Sequence, residues 1–214
     1  MTSLTLSSNR LYQTALWLGF FTVAYNLIEG IVAIGFGISD ETLTLFGFGV
    51  DSFIEVMSGI GIVAMILRIR QNPELPKSEF ERTALKITGW SFYILAIGLV
   101  ISAILNIVTG HKPETTLPGA IIAAISIAIM GWLVWQKMKV GRALNSEPIL
   151  ADASCTKVCI YMSVVLLAAS FIYSLTGFGF VDSLGALGLT YYAVNEGREA
   201  FEKAQGLDDC TCED

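Results

Sequence analysis

Charge is scarce in this 214-residue sequence: Asp, Glu, Lys and Arg make up 15% of it, against 54% for hydrophobic residues. A soluble domain usually carries about a quarter charged residues, so the chain does not read as one. Its 13 Lys and Arg are thinly spread and fall mostly in expected connections, which leaves no basic face for nucleic acid. The single histidine, His111, lies in an expected outer loop, away from any candidate site. No sustained strand-like alternation is present, which sets a β-barrel aside. Low-complexity tracts and internal repeats are absent, and the one linker-like segment is "QNPELPKSEFER" at 71–82. No small-x-small cleavage site follows the first apolar stretch. That stretch is also too long for a signal peptide and contains Asn26 and Glu29.

What the chain has instead is long apolar runs. A helix needs about 20 largely apolar residues to cross the hydrocarbon layer. Six windows qualify: Leu11–Ile38, Leu43–Leu67, Leu85–Thr109, Leu117–Trp135, Pro148–Leu175 and Val181–Phe201. The expected fold is therefore all-α, an integral membrane bundle of six transmembrane helices over 1–203, with a short disordered tail at 204–214. Basic residues collect in alternate connections. Arg10 precedes the first window; Arg68, Arg70, Lys77, Arg82 and Lys86 follow the second; Lys137, Lys139 and Arg142 follow the fourth; Arg198 and Lys203 end the sixth. The positive-inside rule then puts both termini in the cytoplasm, with the cell (inner) membrane as the expected location.

Ionisable side chains inside such windows are costly and point to function. Here they are Glu29, Asp51, Glu55, Asp152, Lys157, Asp182 and Glu196, joined by the thiols Cys155 and Cys159. Asp51 and Glu55 are spaced i, i+4 and share a helix face, as do Cys155 and Cys159. At 1.5 Å per residue, Asp51 and Glu55 lie roughly 12 and 18 Å below the outer surface. Cys155 and Cys159 lie roughly 10 and 16 Å from the inner one. In a layer of about 30 Å, Glu55 matches Cys155 in depth and Asp51 matches Cys159. Two antiparallel helices can thus bring two oxygens and two sulfurs to one point, a set that suits a tetrahedral divalent ion, zinc by default. Taken singly, each residue has a plainer role: a buried cysteine is usually a small hydrophobe, and a carboxylate can simply bond a neighbouring helix.

Three stretches carry a resemblance. "LFGFGVDSFIEVMSG" resembles the second transmembrane helix of cation diffusion facilitators, "ILADASCTKVC" the fifth, and "FVDSLGALGLTYYAVNEG" the sixth. The resemblance covers roughly 10–203. It implies export of divalent metal, usually zinc, in exchange for protons, often by a homodimer, with Asp51, Glu55, Cys155 and Cys159 as the metal ligands. The chain departs from the family in three ways. Most members carry histidine and aspartate where this chain has its cysteines, which tilts the expected cargo toward cadmium beside zinc. Most also carry a cytoplasmic domain after the sixth helix, so the chain is closest to short members. Lys157 is an unusual charge beside the site.

A divalent cation needs deprotonated ligands, so its binding would displace protons. Two carboxylates and two thiolates would leave one divalent ion short of neutrality, which is costly in a poor dielectric. Lys157 either offsets that charge from behind or snorkels to the cytoplasmic surface. Asp152 gathers cations at the cytoplasmic mouth, serves as a fifth oxygen, or caps its helix. Glu29 and Asn26 either orient a ligand or link helices, Asn26 the latter. Asp182 and Glu196 read as helix-end residues. The tail "LDDCTCED" is either a weak metal trap or inert. Gly59, Gly61, Gly185 and Gly188 would allow close helix contacts, thin support for a homodimer. Transport needs no resident cofactor. Two rival functions stay open: a membrane thiol–disulfide oxidoreductase using Cys155–Cys159 with Cys210–Cys212, and a membrane protein that binds metal without moving it.

Overall fold

The computed structural model of the chain describes residues 2–39, 43–71, 76–110, 117–176 and 180–209. These form six α-helices: α1 (Thr2–Ser39), α2 (Leu43–Gln71), α3 (Lys77–Thr109), α4 (Leu117–Leu144), α5 (Glu147–Thr176) and α6 (Phe180–Asp209). The all-α expectation holds among the described residues.

The bundle is apolar outside and polar inside. Trp17, Trp90, Val108, Leu175 and Tyr191 stand exposed, while Asp51, Glu55, Lys137, Asp152 and Thr156 are buried. A water-soluble fold inverts this arrangement. In lipid, which is as apolar as leucine, it is the stable one, because every polar group must find its partner inside the protein.

Among the described residues, five helices are long and apolar enough to cross a membrane, with spans Asn9–Phe36, Phe48–Gln71, Ser78–Leu105, Gly119–Leu144 and Glu147–Val165. The sequence led us to expect six. The expected sixth window, Val181–Phe201, does form a helix, but Glu196, Arg198 and Glu199 break its apolar run, followed by Glu202 and Lys203. The helix continues to Asp209, into the segment expected as a tail. Cys210 and Cys212 lie outside the described residues, as does His111, and nothing is described of the Asp182 side chain.

Helices pack closely in pairs: α1 with α2, α4 with α5, and α3 with α6, which is not its neighbour in the chain. α1 meets α2 backbone to backbone: a Cβ added to Gly49 would lie 2.9 Å from the Gly30 carbonyl oxygen, and one on Gly30 would lie 3.0 Å from that of Gly49. Small residues permit such contact where lipid offers no hydrophobic drive. Gly59 likewise faces α1 at Val23, Gly61 faces α3 at Ile87, and Gly185 faces α5 at Val165. Three of the four glycines read as dimer contacts are therefore used within the chain, while Gly188 has open space. α2 and α5 are inner helices, each with 56% of its apolar span buried against 28% for α4.

The α4–α5 hairpin fixes a register that matters below. Asn145 takes a left-handed conformation (φ 50°). Asn145 N–H donates to the Arg142 carbonyl at 3.2 Å, and Ser146 N–H to that of Gly141 at 3.0 Å. This is the Schellman closure of a helix. Lys137 lies eight residues before the turn and Asp152 seven after it, so the hairpin sets them level.

Candidate functional site

Asp51 and Glu55, one turn apart on α2, project toward α5 and meet Cys159 there. The Cys159 sulfur lies 2.9 Å from Asp51 Oδ2 and 2.9 Å from Glu55 Oε2. All three are buried. Cys155, the other candidate thiol, is also buried and free. Among the described residues it is packed with Ile54, Phe92, Val158 and Leu189, with no hydrogen bond to a carboxylate. Among the described residues, no group of three or more His, Cys, Asp or Glu side chains stands in metal-coordinating geometry; the donors touch one another.

Glu55 extends the cluster with its second oxygen. Thr156 Oγ1 donates to Glu55 Oε1 at 2.5 Å and accepts from Lys137 Nζ at 2.8 Å. Lys137 Nζ lies 2.9 Å from Asp152 Oδ2 and 3.8 Å from Glu55 Oε1. Ser58 Oγ donates to Asp152 Oδ1 at 2.8 Å and stands 3.1 Å from Thr88 Oγ1. A continuous polar chain thus runs Asp51–Cys159–Glu55–Thr156–Lys137–Asp152–Ser58–Thr88 across α2, α5, α4 and α3. An unpaired polar group would be expensive here, and the chain pairs each of these.

Asp152 lies beyond the first turn of α5, which begins at Glu147, and its oxygens meet Lys137 and Ser58. Lys157 is on another face. It is half-buried and lines a cavity of about 250 Å³ between α4, α5 and α6, with Arg142, Ser154, Glu196 and Lys203. Lys203 clamps that end, 2.8 Å from both Glu147 Oε2 and Glu199 Oε1. Among the described residues, the cation that touches the acidic cluster is Lys137, which the sequence reads as a loop residue. A signal for it exists: Met130, Leu133, Lys137 and Val140 are all buried, and their 3–4–3 spacing marks one helix face.

Glu29 forms a second polar group on α1. Tyr25 Oη donates to Glu29 Oε1 at 2.9 Å, and Ser52, the neighbour of Asp51, donates to Glu29 Oε2 at 3.1 Å. Glu29 thus reaches the candidate ligand helix through Ser52. Asn26 Nδ2 donates to Thr22 O within α1 at 3.0 Å, and among the described residues its buried Oδ1 has no partner.

Residues 19–205 match the cation efflux transmembrane domain. The chain belongs to the cation efflux family. Its members are cation transporters rather than enzymes, which removes the oxidoreductase alternative. A curated relative, an uncharacterized transporter of Synechocystis sp., is 25% identical over 115 residues. That match takes in 54% of this chain and 36% of the relative's length, so the chain spans well under half of the protein it matches.

Proposed function

We propose that this cation transporter exports divalent metal, zinc and cadmium, from the cytoplasm in exchange for protons, with Asp51, Glu55, Cys155 and Cys159 as ligands. The reading supposes both termini on the cytoplasmic side of the cell membrane and, by family resemblance, a homodimer. The transmembrane domain makes one unit over 1–203.

The observation that carries it is the double contact of Cys159 with Asp51 and Glu55, each at 2.9 Å. A thiol has one hydrogen to give. Both contacts are met either by sharing that hydrogen or by a second one on a carboxyl group. The cluster is thus a natural store of hydrogens that a metal ion would displace. Zinc bound tetrahedrally at about 2.3 Å to sulfur and about 2.1 Å to oxygen sets those donors about 3.6 Å apart. The site would open by about 0.7 Å, within the reach of side-chain torsions. Cys155, one turn away and buried, completes the set when its side chain turns toward the carboxylates. Sulfur donors favour softer ions over manganese or magnesium.

The test is flux into proteoliposomes carrying an imposed pH gradient, comparing zinc, cadmium, cobalt and manganese. Zinc and cadmium are expected to move, and collapsing the gradient should stop them. Flux indifferent to the gradient rejects exchange for protons. Binding without flux instead supports a protein that only holds metal.

A further inference from the structure

We propose that Lys137 is the resident counter-ion of the candidate site, and that its fixed charge keeps a bound doubly charged ion held loosely enough to leave. This rests on the metal-site reading above. The ammonium group is committed on three sides: Asp152 Oδ2 at 2.9 Å, Thr156 Oγ1 at 2.8 Å and Glu55 Oε1 at 3.8 Å. An ammonium has three hydrogens to donate, and its side chain is only 2% exposed. It has no route to a membrane surface without breaking an ion pair. This is not a snorkelling lysine.

The charge arithmetic follows from the contacts. Lys137 cancels one of the negative charges that Asp51, Glu55 and Asp152 bring to one buried cluster. Without Lys137 the cluster would be one charge more negative at any given number of bound hydrogens, and attraction between ion and site would rise in a medium of low dielectric constant. Tighter binding without faster release slows a transporter, since the cargo must leave as well as arrive. Asp152 acts through Lys137: it holds the ammonium against the Thr156–Glu55 edge, and Ser58 and Thr88 hold Asp152 in turn.

Zinc affinity of the purified full chain, measured by competition with a fluorescent chelator, tests this together with zinc flux in liposomes. Lys137→Met should bind zinc at least about tenfold more tightly than the wild type and move it at least about tenfold more slowly. A merely structural lysine predicts the opposite direction, because a damaged site loosens. The double variant Lys137→Met/Asp152→Asn restores the formal charge and should return affinity toward the wild type. Lys137→Gln, which keeps a polar head against Asp152 and Thr156 but carries no charge, should likewise bind zinc about tenfold more tightly, which keeps the test decisive if Lys137→Met does not elute as a folded species. Equal or weaker binding by whichever of Lys137→Met and Lys137→Gln is folded overturns the proposal. A wild-type chain that binds no zinc overturns the metal site itself, and so is told apart from a failure confined to Lys137.

Discussion

The Cys159 sulfur and the Glu55 carboxylate touch at 2.9 Å, although they are 104 residues apart in the chain. Cys155, one turn before Cys159, is packed against Phe92 and Leu189 instead. The two thiols therefore differ in what their loss should do. Cys159→Ala removes a donor already against both carboxylates. It should weaken zinc and cadmium binding by more than about 100-fold, beyond the 10- to 100-fold loss usual for a supporting partner. Cys155→Ala should cost less, because that side chain must first turn. Dissociation constants for both variants, on protein of equal folded yield, check the order.

Glu29 touches Ser52, and Ser52 adjoins Asp51. Glu29→Gln keeps the shape but loses the negative charge that receives the Tyr25 and Ser52 hydroxyls. A supporting role predicts a loss of metal affinity of about 10- to 100-fold with metal stoichiometry unchanged. Tyr25→Phe should produce a smaller change in the same direction. A changed stoichiometry in either variant would make Glu29 a ligand in its own right.

Asp152 faces a buried cation. Asp152→Ala takes from Lys137 its nearer carboxylate and leaves it Glu55 Oε1 at 3.8 Å, and removing one partner of a buried pair costs about 3–5 kcal/mol. The exposed Arg198–Glu202 pair, 2.7 Å apart on α6, is of the kind that contributes little measurable stability. Thermal unfolding in detergent should therefore drop sharply for Asp152→Ala and scarcely move for Glu202→Ala.

Much of this was legible in the sequence because lipid is a strict solvent. The apolar runs read as helices, and the fourfold spacing of Asp51 with Glu55 put both carboxylates on one face. Depth along antiparallel helices paired Asp51 with Cys159, which the structure brings together. Glu55 was matched with Cys155 but touches Cys159, because rise per residue fixes depth to within about a turn and no finer. Lys137 was misread for a different reason. It follows Trp135 and precedes Lys139 and Arg142, so charge density suggested a loop, while the periodicity of Met130, Leu133 and Val140 placed it inside. Lys157, nearer the thiols in sequence, points elsewhere because two residues along a helix turn a side chain by about 200°.

Metal–proton exchange makes a prediction about binding as well as transport. If zinc displaces hydrogens from the Asp51–Cys159–Glu55 cluster, its affinity must fall as pH falls, by about tenfold per pH unit for each proton released. The sign is fixed: protons compete, so acid weakens binding and alkali strengthens it. Titration in weakly buffered solution should show about two protons released per zinc if the exchange leaves the cluster's net charge unchanged. A pH-independent affinity would separate the metal site from proton coupling.

The α1–α2 contact offers a test of packing alone. A Cβ on Gly49 would meet Ile34 Cγ1 at 2.7 Å and the Gly30 carbonyl oxygen at 2.9 Å. The first neighbour is a side chain that can shift; the second is backbone and cannot move without separating the helices. Overpacking of this kind costs about 1–3 kcal/mol, and here it also displaces the helix that carries Asp51 and Ser52. Gly188 is the matched control: nothing lies within 4 Å of its Cβ position, and alanine in a helix interior is favoured over glycine by about 0.5–1 kcal/mol. Gly49→Ala should therefore lower both thermal stability and zinc affinity, and Gly188→Ala should leave affinity unchanged while holding or raising stability. Equal behaviour of the two variants would mean that α1 and α2 do not meet at these glycines.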